Sequence, residues 1–118
     1  MTKPLPPSAS VAHETDDAKL HAPAAARNAQ AITDLLIEYA PQSGQALEFA
    51  SCTGQHVVTF AAALPDVMWQ PTEISAERRA SIDAYVVESG LANVSHAAAL
   101  DACTPGWGAS HGGKDLIV

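Results

Sequence analysis

Hydrophobic and polar residues alternate in blocks along the chain, and each block has its own period. Ile32, Leu35, Leu36 and Tyr39 recur at i, i+3, i+4 and i+7, the stripe of an amphipathic helix. Pro23 suits the first helical position, and Pro41 and Gly44 close the segment. Gln45–Ala50 is short, apolar and bounded by turn residues, which predicts a buried strand. Val57, Val58, Phe60, Ala61 and Leu64 give a second helix over Gly54–Leu64, stopped by Pro65. Val67–Gln70 reads as a second strand ending at Pro71. Ser75 is a good N-cap, Glu77 suits the dipole of a third helix, and Ile82, Tyr85 and Val86 line its inner face. Gly90 ends that helix. Asn93–Leu100, rich in alanine, predicts a weaker third strand. Thr104–Gly113 is a loop around Trp107, and Asp115–Val118 is a fourth strand.

Helices alternating with short apolar strands predict an α/β fold, a Rossmann-like three-layer αβα arrangement with a parallel sheet. Residues 1–18 are rich in Pro, Ser, Thr and Asp and are expected to form a disordered tail. Residues 19–118 form the folded unit. A sheet strand ending in DLIV leaves its far end uncovered. The expectation is therefore an N-terminal portion of a larger domain, cut after strand four, whose strand-four edge could pair with another copy.

Composition narrows the partners. With a formal charge of −7 and no basic patch, the chain is repelled by phosphate backbones, so no nucleic acid is expected. The N-terminus has no apolar signal region, and no run is long enough for a membrane span, so a cytoplasmic location is expected. Cys52 and Cys103 form no paired motif. The histidines at 13, 21, 56, 96 and 111 are scattered, so no metal site is expected.

Ligands of open parallel sheets bind at the carboxyl ends of the strands. Three acidic residues fall there: Glu48 in strand one, Glu73 after strand two and Asp101 after strand three. A carboxylate after strand two can accept both ribose hydroxyls of a nucleoside, and one after strand three can accept from an adenine amine. The helix opening near Gly54 offers free N–H groups. The turn lacks G-x-G-x-x-G, which disfavours a dinucleotide. Each acidic residue alone is equally ordinary loop chemistry.

LEFASCTGQH at 47–56 resembles the first motif of class I S-adenosylmethionine-dependent methyltransferases. It is most similar to the family known as DUF938, which itself resembles methyltransferase-like protein 26. Members of that family carry alanine-serine-glycine-threonine-glycine-glutamine-histidine where this chain has ASCTGQH. HAPAAARNAQAI at 21–32, the segment 64–94, ALDACTPGW and DLIV fit the same family. The resemblance implies strand order 3-2-1-4 for the strands present and S-adenosyl-L-methionine as cofactor.

Carried over by residue, it implies that Glu48 anchors the methionine ammonium end. Ala50, Ser51 and Gly54 lie against the methionine moiety. Glu73 holds the ribose, and Asp101 with the backbone at Ala102 reads the adenine. Arg27 and Asn28 close over the cofactor, although a solvated helix charge explains Arg27 as well. Cys52 stands where relatives have glycine, either for a left-handed backbone or for close approach to the ligand. His56 is a tempting base, but packing is the blander role. Cys103 and Trp107 fall beside the adenine end. The resemblance names neither a methyl acceptor nor a catalytic residue. The alternative is a non-catalytic chain, either a truncated product or a module that binds an adenosyl ligand or a partner.

Overall fold

The computed structural model describes residues 13–14 and 18–118. Most of the expected tail lies outside these. Its inner end, β1 (His13–Glu14), pairs antiparallel with β2 (Leu20–His21) in a short ribbon. Helix α1 (Pro23–Tyr39) begins at the proline that sequence marks as its start. Strand β3 (Gly44–Glu48) leads through a turn into α2 (Gln55–Ala63), and β4 (Val67–Pro71) follows. Helix α3 (Ala76–Ser89) is capped by Ser75, whose hydroxyl accepts from the Arg78 N–H at 3.3 Å. Gly90 closes it in the left-handed conformation at φ 65°. A single turn, α4 (Trp107–Ser110), interrupts the expected loop, and β5 (Leu116–Ile117) comes last.

The sheet is parallel, with β3 between β4 and β5. Residues 93–98 lie along the other edge of β4, bridged at Trp69–Val94 and Thr72–Ala98. The spatial order is the expected 3-2-1-4, and the fold is Rossmann-like α/β.

The third strand itself is a correction. Only isolated bridges form, and a proline explains why. Trp69 N donates to Asn93 O at 2.8 Å and Ser95 N to Trp69 O at 3.0 Å. The next rung needs an N–H at Pro71, which has none. The ladder resumes one residue out of step, with Ala98 N donating to Pro71 O at 3.0 Å. The N–H of the skipped Ala97 is taken by the Asp83 carboxylate at 2.7 Å.

The core joins Ala46, Val67 and Trp69 of the sheet to Val57, Phe60 and Ala61 of α2 and to Ile82 and Val86 of α3. Asn93 is buried beneath α2, and its Nδ2 lies within hydrogen-bond distance of Ala61 O, Leu64 O and Val67 O. One remote amide thus ties the end of α2 to the start of β4. The stripe expected on α1 is also corrected. Leu35 and Tyr39 are 56% and 75% exposed. Ile32 and Leu36 pack inward, and Thr33 is buried with its hydroxyl donating to Ala29 O at 2.7 Å. The buried arc is rotated toward Thr33, a polar residue that the apolar count passes over. Among the described residues, no helix is long and apolar enough to cross a membrane.

Candidate functional site

The turn from β3 to α2 carries the strain. Ala50, Cys52 and Gly54 all have positive φ, at 48°, 56° and 97°. Only glycine visits that region cheaply, so two L-residues there cost roughly 1–2 kcal/mol each. The surrounding structure holds the turn in place. Ser51 N donates to Thr72 O at 2.8 Å, and Thr72 N returns to Glu48 O at 3.0 Å. The Thr72 hydroxyl donates to the same Glu48 carbonyl at 2.6 Å, and Ser81 Oγ donates to Thr53 O at 2.7 Å. At Gly54 a Cβ would meet the Ile82 Cα at 2.8 Å, so this glycine lets α2 and α3 approach. It lies against α3 and lines neither cavity described below.

Two buried carboxylates flank the turn. Glu73 is 4% exposed. Its Oε1 accepts from Cys52 N at 3.1 Å and its Oε2 from Ser75 N at 2.8 Å. It therefore fixes the strained turn and the start of α3 together. Glu48 is 5% exposed, and its Oε1 has no partner. Burial pushes its carboxyl up to about 7, against a smaller opposing pull from a hydrogen bond with Ser51. Burial likewise pushes the Cys52 thiol up, partly offset by the positive charge of Arg78.

Two cavities open at the carboxyl ends of β3 and β4, and Ala50 lines both. The first, of about 220 Å³, is lined by Glu73, Ile74, Asp101 and Ala102. Asp101 is exposed, with Oδ1 accepting from Cys103 N at 2.9 Å. Phe49 forms a wall, and the Trp107 ring meets it edge-on at 4.9 Å. The second, of about 200 Å³, is lined by Asn28, Ser51, Cys52, Thr53 and His56. His56 Nε2 lies 2.7 Å from Asn28 Oδ1 and 3.1 Å from Ala25 O. Both are acceptors, so this nitrogen carries the proton and donates. The ring stacks on Phe60 at 5.4 Å.

The structure thus gathers Glu73, Asp101, Ala102 and Ala50 at one cavity and Asn28, Ser51 and Ala50 at its neighbour. Glu48 sits beneath the turn, away from both linings. Arg27 is exposed on α1 and lines neither. Sequence reasoning missed Ile74, which is 65% exposed and lines the first cavity together with Glu73 and Asp101. The available signal was a β-branched apolar residue placed in a loop directly after Glu73.

Two solved structures resemble this fold. The X-ray structure of YjhP from E. coli aligns with TM-score 0.53 at 18% identity over 64% of this chain and 30% of its own. Coclaurine N-methyltransferase, bound to N-methylheliamine and SAH, aligns with TM-score 0.54 at 19% identity over 62% of this chain and 22% of its own. The chain thus spans less than a third of either structure. At these identities the likeness shows the fold. The family model described as "Protein of unknown function (DUF938)" matches residues 19–116, and the chain belongs to that family.

Proposed function

We propose that this chain binds S-adenosylmethionine and supplies the cofactor-binding part of a methyltransferase related to methyltransferase-like protein 26. The observation that carries the reading is Ile74, an exposed apolar side chain in a cavity that also holds the carboxylates of Glu73 and Asp101. A planar heterocycle bearing donor groups at its edges fits such a lining: the ring covers the isoleucine and the donors meet the acids.

The donor set fits the adenosine part. A carboxylate has about four lone-pair sites, and Glu73 spends one on Cys52 N and one on Ser75 N, leaving acceptors for ribose hydroxyls. Asp101 keeps Oδ2 for an amine. The neighbouring cavity, lined by alanines and by Ser51, Cys52 and Thr53, has the small side chains that an extended arm needs. Among the described residues no Lys, Arg, Asp or Glu lines it, so the arm's carboxylate would rely on backbone N–H groups of the turn. When bound, the cofactor supplies an electrophilic methyl group on its sulfonium. This chain's own residues bind, orient and exclude water, which are large contributions to a direct transfer. The SAH carried by coclaurine N-methyltransferase supports a ligand of this class on this fold.

Calorimetric titration with S-adenosylhomocysteine and with S-adenosylmethionine tests the reading. Asp101 is exposed, so Asp101→Ala leaves the core intact. It should weaken binding about tenfold, the value of a hydrogen bond to a charged group. No binding by the native chain removes the proposal. Binding with no methyl transfer to any acceptor offered favours an adenosyl-ligand-binding module.

A further inference from the structure

We propose that Arg79 is the positioning residue of the first cavity: its guanidinium holds the loop after β4 so that Ile74 faces the ring of the ligand. The inference rests on the functional reading above and deepens it, since it names what sets the apolar surface on which that reading depends.

Ile74 needs such a device because no core seats it. A buried side chain is held in its rotamer by close-packed neighbours. Ile74 is 65% exposed, so the direction of its side chain follows from its backbone. The carbonyls of the two peptide groups that flank its Cα accept from one nitrogen. Arg79 Nη1 donates to Glu73 O at 2.9 Å and to Ile74 O at 2.8 Å. A terminal guanidinium nitrogen carries two N–H groups, so each carbonyl can take one. Peptide groups are planar, and holding the planes on both sides of a Cα fixes the Cα–Cβ bond between them. Among the described residues, the Ile74 backbone makes no other hydrogen bond.

Glu73, one residue earlier, has holds of its own. Its N–H donates to Ala98 O at 3.0 Å, and its carboxylate accepts from Cys52 N and Ser75 N. Loss of the guanidinium therefore frees Ile74 more than it frees the carboxylate. Arg79 is a firm base for this grip. It lies half-buried on α3, and its own N–H donates to Ser75 O at 2.9 Å, the residue that caps the helix. The rigid, planar donor fork of arginine suits two neighbouring acceptors better than the point charge of a lysine.

Titration with S-adenosylhomocysteine, paired with amide exchange of the ligand-free chain, tests the assignment. Ile74→Ala should weaken binding about fivefold, the effect of the apolar area that an exposed isoleucine gives up to a ring. Arg79→Met keeps the stem and removes the donors. It should weaken binding about threefold, because only part of the population then holds Ile74 in place. In an Ile74→Ala background the same substitution should change affinity by less than about 1.5-fold, since no side chain is left to position. A residue that merely stabilised the fold would cost the same in both backgrounds. Without ligand, Arg79→Met should speed exchange at Ser75, whose N–H binds Glu73 Oε2, at least about threefold, with Ala46 and Leu47 unchanged. Arg79→Lys keeps the charge without the fork and should fall between native and Arg79→Met in both measurements. It carries the cycle if Arg79→Met loses slow exchange at Ala46 and Leu47, the sign of global unfolding. Unchanged affinity in the folded variant, an equal loss in both backgrounds, or unchanged exchange at Ser75 would each overturn the assignment. No binding by the native chain would sink the functional reading instead, and exchange at Ser75 would still decide whether Arg79 holds the loop.

Discussion

Glu48 and Glu73 lie at the ends of adjacent strands, are equally buried, and differ in the donors that reach them. Glu73 receives a backbone N–H on each oxygen. Glu48 keeps an unpartnered Oε1, and its carboxyl is pushed up to about 7. Burial is common to both, and at Glu48 it raises the carboxyl; what separates the two sites is the supply of donors. Glu73 lies where the turn and the start of α3 both point N–H groups, and its two oxygens tie them together. Glu48 lies on the sheet's core face, and near neutral pH it exchanges a proton instead.

The strongest way to break this comparison is to remove Glu73. Glu73→Ala deprives two partly buried N–H groups of their acceptor and should cost about 2–3 kcal/mol in urea unfolding. Ligand binding should fall with it, so this variant alone cannot separate a binding role from a structural one. Glu73→Gln keeps one acceptor oxygen and should cost about half as much. A loss below about 1 kcal/mol for Glu73→Ala would mean that the two hydrogen bonds do not anchor the turn.

Glu48 should respond to pH instead. Its folded value of about 7 lies above its ordinary value of 4.5. The folded chain therefore holds a proton that the unfolded chain has released. Stability is highest below about 4.5 with respect to this group, falls as pH rises through that window, and levels off above about 7. The whole loss is about 3 kcal/mol. Glu48→Gln should abolish this slope and make the chain more stable than native at pH 8, with little difference at pH 4.5. Equal pH profiles for native and variant proteins would show that solvent reaches Glu48 and that the contrast with Glu73 is false.

The sequence carried much of this arrangement. Pro23, Ser75 and Gly90 set helix ends where the structure has them, because caps and prolines act locally. The strand order was also legible, from the family motif, and the alternation of helices and strands put Glu73 and Asp101 after strand ends. What was not legible depends on partners distant in sequence. Pro71 breaks the third strand only because the register brings it opposite the 93–98 segment. Gly54 is required by Ile82, a residue in another helix. Two glutamates after apolar runs look alike until the turns beside them show which receives N–H groups. Ile74 was hidden because an exposed isoleucine is unremarkable until a cavity forms around it.

The smallest effect sharpens the comparison most. Cys52 holds φ 56° while donating its N–H to Glu73 Oε1. Glycine would relieve the left-handed cost of roughly 1–2 kcal/mol but would loosen the unfolded chain. Cys52→Gly should therefore stabilise the native protein by only about 0.5–1 kcal/mol. It also removes a side chain from the lining of the second cavity, so S-adenosylmethionine should bind more tightly. If Glu73 imposes the strained turn, the gain requires Glu73. In a Glu73→Ala background the turn is released, Cys52 relaxes, and the same substitution should give nothing. A double-mutant cycle measured by urea unfolding then shows a coupling of about 0.5–1 kcal/mol between the two sites. Strict additivity would assign the strain to the Ser51–Thr72 hydrogen bonds and leave Glu73 holding only α3.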